Sequence, residues 1–267
     1  MFGRRPDATL VRDAAPVRRF MPFISPRRNE SLVYFAQDVD VETALRFVEA
    51  RNASGSEANR LTLFQVVLRA LVGLFEERPR LNRFTAGGRL WQRDGIWITY
   101  SAKQRFDDDA PILTLKRRFE PGESLEEMVA RLQRDLGGAR SGRKTAADRE
   151  MSLLLALPPF VTRALVLGVQ GLDGLGLLPR SMIDPDPMHA SIFVANLGSV
   201  GLEAGYHHLW EYGNVPLFCV IGRVREAEDG QRRAIFKWSF DERVEDGLYC
   251  ARGLEHLQEL LSHPEKL

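Results

Sequence analysis

Two short stretches of this chain gather the side chains best suited to moving protons. GYHHLWEYGN (Gly205–Asn214) sets His207 and His208 beside Trp210 and Tyr212, the densest grouping of imidazole and aromatic groups in the sequence. Adjacent residues on an extended chain point to opposite sides, so at most one of the two imidazoles can face a given site. Such an imidazole is a natural base at neutral pH; the pair can equally be half-buried at a contact between subunits. The second stretch, FDERVEDG (Phe240–Gly247), places Asp241, Glu242, Glu245 and Asp246 around Arg243. An exposed glutamate, titrating near about 4.3, is a poor base for a thiol, whereas burial lifts a carboxyl far enough to make it a competent one. Glu242 therefore reads either as a general base or as half of an ion pair with Arg243 or a neighbouring subunit.

The remaining chemistry-bearing residues read as structural. His189, in DPDPMHAS, stands alone beside a strand start and reads as a local cap, while His256 and His263 ride a terminal helix and face solvent. Cys219 and Cys250 sit in apolar surroundings with no CxxC partner, as buried thiols of a reducing compartment do. No His, Cys, Asp or Glu set has metal-ligand spacing. LGSVGLEAG lacks the GxGxxG spacing of a phosphate-binding loop. DDDAP reads as a solvated acidic loop, and RSGRKTAADR as a basic surface connection that could meet a coenzyme phosphate.

Bulk properties set the frame for these groups. The chain has 267 residues, enough for a sizeable core, and 37 basic against 36 acidic residues give no electrostatic footprint for nucleic acid. The first twenty residues are charged and lack the apolar run of a signal peptide, so the cytoplasm is expected. Residues 151–179 are the most apolar part of the chain. Pro158-Pro159 and Arg163 interrupt them and Asp173 closes them, leaving no uncharged run near the roughly 18 residues that span a bilayer. Two short helices split at the prolines are expected, buried at a subunit interface or over the core, with peripheral membrane contact as the lesser alternative.

The elements that must position the candidate groups alternate between helix and strand. Residues 1–30 read as an irregular lead segment, and 31–267 as one domain. Strand signals cover SLVYFAQDVDV, a hairpin RLWQRDGIWITYSAKQ turning at Asp94-Gly95, APILTLKRRF, ASIFVANLG, PLFCVIGRVRE and RRAIFKWSFDE. Helical spacing covers VETALRFVEARN, with Asp40 as a possible cap, and LTLFQVVLRALVGLFEERP, with Thr62 as N-cap. SLEEMVARLQRDLGG has a Ser124 cap, Glu127 at the capping-box position and a Gly137 stop; DGLYCARGLEHLQELLSH closes the chain. ASGSEANR reads as a linker. The pattern predicts an α/β two-layer sandwich: a mixed β-sheet with packed helices.

Three places, in order, carry a family resemblance. FQVVLRALVGLFEERPRLNRF, SIFVANLGSVG and FDERVEDGLYCARGLEHLQELLSHPEKL resemble the helix with its hPxLN turn, the S-N-L-G strand and the DHRxxDG turn of dihydrolipoamide acyltransferase catalytic domains. Those domains belong to 2-oxo acid dehydrogenase complexes, and chloramphenicol acetyltransferase shares their fold. The resemblance runs, with gaps, from about residue 15 to the end. It implies a coenzyme A-dependent acyltransferase (chloramphenicol acetyltransferase-like) fold and a homotrimer or higher oligomer of trimers with its site between subunits. It also implies coenzyme A or acyl-coenzyme A as co-substrate, with no metal. In that family the histidine of the last motif is the base, and a hydroxyl from the neighbouring subunit's S-N-L-G strand stabilises the oxyanion.

Both reacting positions are changed here. Glu242 stands where the histidine would be, and Ala195 stands where the hydroxyl would be, just before Asn196. Asp241, Arg243, Asp246 and Gly247 still match, and the resemblance assigns Asp246 an ion pair, for which Arg27 or Arg28 is the candidate partner. The candidate catalytic residues are therefore Glu242, Asn196, His208 and Asp246. Losing the oxyanion hydroxyl typically costs about 3 kcal/mol, which the Asn196 amide could partly offset. No lipoyl or subunit-binding domain precedes the fold, so a free-standing acyltransferase with a small-molecule or carrier-bound acceptor is expected. The alternative is a non-catalytic trimeric scaffold or acyl-thioester- or partner-binding protein.

Overall fold

A computed structural model describes residues 4–53, 60–103, 112–140 and 154–267. Its centre is a six-stranded mixed sheet in the order β2-β9-β8-β7-β5-β6. The strands are β2 (Leu32–Asp40), β5 (Ile96–Lys103), β6 (Ile112–Phe119), β7 (Ile192–Asn196), β8 (Leu217–Glu226) and β9 (Arg232–Asp241). β7 runs parallel to both neighbours, β5 and β8, while the other pairs are antiparallel. A second sheet of three strands, β1 (Ala8–Leu10), β4 (Arg89–Arg93) and β3 (Arg83–Ala86), stands beside it.

Helices cover one face of the large sheet. α2 (Glu42–Ala53), α3 (Leu63–Glu77), α4 (Leu125–Arg140) and the helix Gly247–Ser262, α7 below, form that layer together with the sheet's apolar face. Phe236, Trp238 and Phe240 alternate along β9 into this core and are wholly buried beside Leu68 and Leu71 of α3. Burial of each such side chain is worth about 1.5–3 kcal/mol. Thr62 closes α3 with a reciprocal capping box to Gln65, Ser124 and Glu127 make the same box before α4, and Asp40 accepts from the Glu42 N–H at the start of α2. The two-layer α/β sandwich is thus present, and both cysteines are buried free thiols.

Among the described residues the opposite face has no helical layer. Its cover is the irregular segment 204–215, whose Ala204, Leu209 and Val215 pack with Phe193, Phe218 and Val220. This segment carries the two adjacent histidines.

Four expectations are corrected. The lead segment is not wholly irregular: it holds β1, whose Leu10 pairs with Trp91, and α1 (Pro16–Ile24). Asp94-Gly95 does not close a hairpin. β4 pairs with β3 and β1, β5 pairs with β6 and β7, and the turn passes the chain from the small sheet to the large one. Gly137 does not stop α4, which continues to Arg140. The apolar segment does break at Pro158-Pro159: Leu154 and Leu155 are helical before it, α5 (Pro159–Leu175) starts after it, and a turn of helix, α6 (Arg180–Ile183), follows. α5 is not over the core, since Asp173 is its one buried residue. DDDAP, most of RSGRKTAADR, most of the ASGSEANR linker and residues 151–153 lie outside the described residues.

Candidate functional site

The DERVEDG turn follows β9 and precedes α7 (Gly247–Ser262), and the reason it holds its shape is Asp241. That side chain is 1% exposed. Its two oxygens take Nε and Nη2 of Arg243 at 2.8 and 2.7 Å, a bidentate pair of the strong kind. Arg28 adds its Nε at 3.7 Å from the same carboxylate. Arg28 then donates to the carbonyls of Trp210 and Gly213, and Arg243 to those of Ser25 and Pro26. Burial lowers the Arg28 pKa against the pull of Asp241. One carboxylate and two guanidiniums thus join the lead segment, the turn and the segment 204–215. Gly213 is obligatory there: its φ is +73°, and a Cβ would lie 2.1 Å from the Met188 carbonyl oxygen.

Glu242 sits at the tip of this clamp, exposed between buried Asp241 and Arg243. Its main chain is fixed, the N–H donating to the Ser31 carbonyl at 2.9 Å and the carbonyl accepting from Arg18 of α1. Asp246 does not take the ion pair with Arg27 or Arg28. It lies outside the clamp, at the surface, and its carboxylate accepts from the Tyr249 N–H at 2.8 Å as the N-cap of α7. Arg28 reaches Asp241 instead, and Arg27 pairs with Glu30 at 3.8 Å. The roles of cap and clamp fall on different aspartates of one motif.

Asn196 ends β7. Its Oδ1 accepts from the Ser199 N–H at 3.2 Å, while Ser199 Oγ donates back to the Asn196 carbonyl at 2.7 Å. The carbonyl end of the amide is occupied by the turn and Nδ2 is left to donate outward. Asn196 and Glu242 are far apart within the chain. Asn196 pairs with Ile221, Ile221 pairs with Phe236, and Glu242 lies six residues beyond Phe236. At about 3.3 Å per residue the two side chains stand roughly 20 Å apart along the sheet.

His208 lies nearer the Glu242 end. Phe218, His207 and His208 form a stack, with centroids 4.1 Å apart for Phe218 and His207 and 4.6 Å apart for the two imidazoles. The Phe218–Ser239 rung lies beneath it, and Ser239 Oγ donates to the His207 carbonyl. Burial depresses the His207 pKa, and His208 is the exposed outer ring.

A charged cluster that the sequence reading missed lies a short way off. His189 is 1% exposed, its ring nitrogens 3.5 Å from Asp173 and 3.2 Å from Asp186. Asp173 also takes Arg5 at 2.6 Å, and Asp186 accepts from the Tyr212 hydroxyl at 2.7 Å. Burial disfavours the charged imidazole, but the two carboxylates outweigh it and the His189 pKa is raised. Burial likewise works against the Asp173 carboxylate, yet His189 and Arg5 hold it down at about 2. His189, Arg28, Glu211 and Arg243 wall a cleft between α1, the Gly87-Gly88 turn and α5. Among the described residues no His, Cys, Asp or Glu group is arranged to hold a metal.

The architecture matches solved structures at low identity. A dihydrolipoamide acetyltransferase of Azotobacter vinelandii superposes with a TM-score of 0.62 at 18% identity, over 94% of this chain and 92% of that one. A truncated catalytic core of a 2-oxoacid dehydrogenase multienzyme complex from Thermoplasma acidophilum gives 0.61 at 14% identity, over 95% and 98%. Chloramphenicol acetyltransferase gives 0.58 at 12%, over 95% and 99%. The fold is that of the coenzyme A-dependent acyltransferases. No family model matches the sequence, and no curated protein does.

Proposed function

We propose that this protein is a coenzyme A-dependent acyltransferase whose site is complete only where two copies meet, Glu242 of one chain facing Asn196 of the next. The observation that supports it most is the clamp under Glu242. Asp241 and Arg243 of the turn and Arg28 of the lead segment are buried beneath one exposed carboxylate at the tip, Glu242. Two buried guanidiniums on one carboxylate are costly to assemble, and their effect is to fix the backbone on either side of Glu242.

In this reading the Glu242 carboxylate, shielded from water by the neighbouring copy and by substrate, takes the proton of the acceptor thiol or hydroxyl. The acceptor attacks the thioester carbonyl, the bond to coenzyme A sulfur breaks, and the proton passes to the departing thiolate. Asn196 Nδ2 donates to the oxyanion, since Ser199 already holds the Oδ1 end. His208 is the alternative base. Acceptors are small molecules or carrier-bound groups, and the oligomer is a trimer or an assembly of trimers.

Ala195 favours a second reading, a trimeric scaffold that binds a thioester or a partner without turnover. A methyl group at the oxyanion position removes about a hundredfold in rate. Glu242→Gln separates the two. Acyl transfer that vanishes in the variant while its oligomer persists supports the enzyme; transfer at an unchanged rate removes Glu242 from the chemistry.

A further inference from the structure

α5 is joined to the rest of the protein in an unusual way for so apolar a helix. Its one buried residue is a carboxylate, Asp173, held by Arg5 and His189, and its apolar side chains face outward. Leu165, Val166 and Leu167 are consecutive and all exposed, so the exposed surface extends around most of the helix. A helix that is apolar all round belongs in a protein core or in lipid. At its start Leu155, Leu157, Val166 and Leu167 line an apolar hollow with Arg163 among its walls.

α1 continues this surface. Val17, Phe20, Phe23 and Ile24 are all more than half exposed. The turn between β3 and β4 joins the two helices: a Cβ at Gly88 would lie 3.2 Å from the Phe23 ring, and one at Gly87 would lie 1.9 Å from the Gly174 carbonyl oxygen. α1 also touches the candidate site, through Arg18 and the Glu242 carbonyl. Monomers rarely expose so much contiguous apolar surface without a partner for it.

The charges choose among partners. From Arg12 to Ile24 the chain has Arg12, Arg18 and Arg19 against Asp13, and from Leu154 to Leu172 it has Arg163 and no acidic residue. Arg12, Arg19 and Arg163 have no acidic partner among the described residues. Exposed phenylalanines and leucines set among unmatched arginines fit the interfacial layer of an anionic bilayer, where rings and methyl groups enter the acyl boundary and guanidiniums meet phosphates. Among the described residues no helix is long and apolar enough to cross a membrane.

We propose that α1 and α5 form a docking surface for an anionic lipid bilayer. The proposal stands whether or not the chain transfers an acyl group. The test is sedimentation of the full-length protein with vesicles of phosphatidylcholine alone and of equal parts phosphatidylcholine and phosphatidylglycerol. Binding to the anionic vesicles is expected, weakened by high salt, and lowered about tenfold by Phe20→Glu with Leu167→Glu. Arg163→Glu, a single change of an exposed residue, should weaken it several-fold without altering the melting temperature, which covers the case of a double variant that fails to fold. Failure of the wild type to bind anionic vesicles, or binding that both variants retain in full, overturns the proposal. If, without vesicle binding, the wild type is an oligomer that these substitutions split, the surface belongs to a second copy of the chain.

Discussion

Asn196 ends β7, and Glu242 follows β9 six residues beyond the rung on which Asn196 lies. The register through Ile221 and Phe236 separates them by about 20 Å. No rotamer change brings them together, so a mechanism that uses both must take them from different chains. Mixed oligomers test this. Glu242→Gln chains and Asn196→Ala chains should each fail to transfer an acyl group, and co-refolded mixtures should recover part of the activity, because some interfaces then hold both native residues. Mixtures as inactive as their parents would break the two-chain assignment.

The two aspartates of the turn should differ sharply in stability. Asp241→Asn leaves Arg28 and Arg243 short of a buried counter-charge, and a loss of about 3–5 kcal/mol is expected. Asp246→Ala removes a surface N-cap and should cost about 1 kcal/mol. Urea denaturation of both variants measures the contrast, and equal losses would show that the clamp does not depend on Asp241.

Glu242→Gln should leave the unfolding free energy within about 0.5 kcal/mol of wild type, because the exposed side chain makes no hydrogen bond among the described residues. A large loss would show that Glu242 is a structural ion-pair partner.

The mooring of α5 should depend on pH on both sides. The folded-state pKa of His189 is raised above 6.5, so its contribution is complete below that value and is lost as pH rises through the folded-state pKa. Asp173, held at about 2 against an ordinary 3.8, contributes above 3.8, and its share is lost as pH falls through about 2. Amide protection in α5, taken relative to the intrinsic exchange rate at each pH, should therefore fall on the alkaline side, and His189→Gln should abolish that limb. An unchanged pH profile in the variant would assign the mooring to Arg5 and Asp173 alone.

What the sequence made legible was local. Thr62 as N-cap and Ser124 with Glu127 signal their helix starts, and the alternation along Phe236, Trp238 and Phe240 marks β9. The motifs in order carried the fold and located the turn after β9. The rest depended on partners distant in the chain. Arg28 and Asp241 are separated by more than two hundred residues, and which aspartate of the motif the arginine reaches depends on which one is buried. His189 looked isolated because its carboxylate on α5 lies sixteen residues upstream, with α6 between them. The Asp94-Gly95 turn has hairpin chemistry, but β4 finds its partners in β1 and β3.

The most direct test of the account is calorimetric titration of the purified protein with acetyl-coenzyme A, which needs no knowledge of the acceptor. Micromolar binding that Asn196→Ala weakens and that Glu242→Gln leaves intact is predicted, since the amide meets the thioester while the carboxylate acts on the acceptor. Absence of binding at high concentration would contradict it, and would make the clamped turn part of a scaffold.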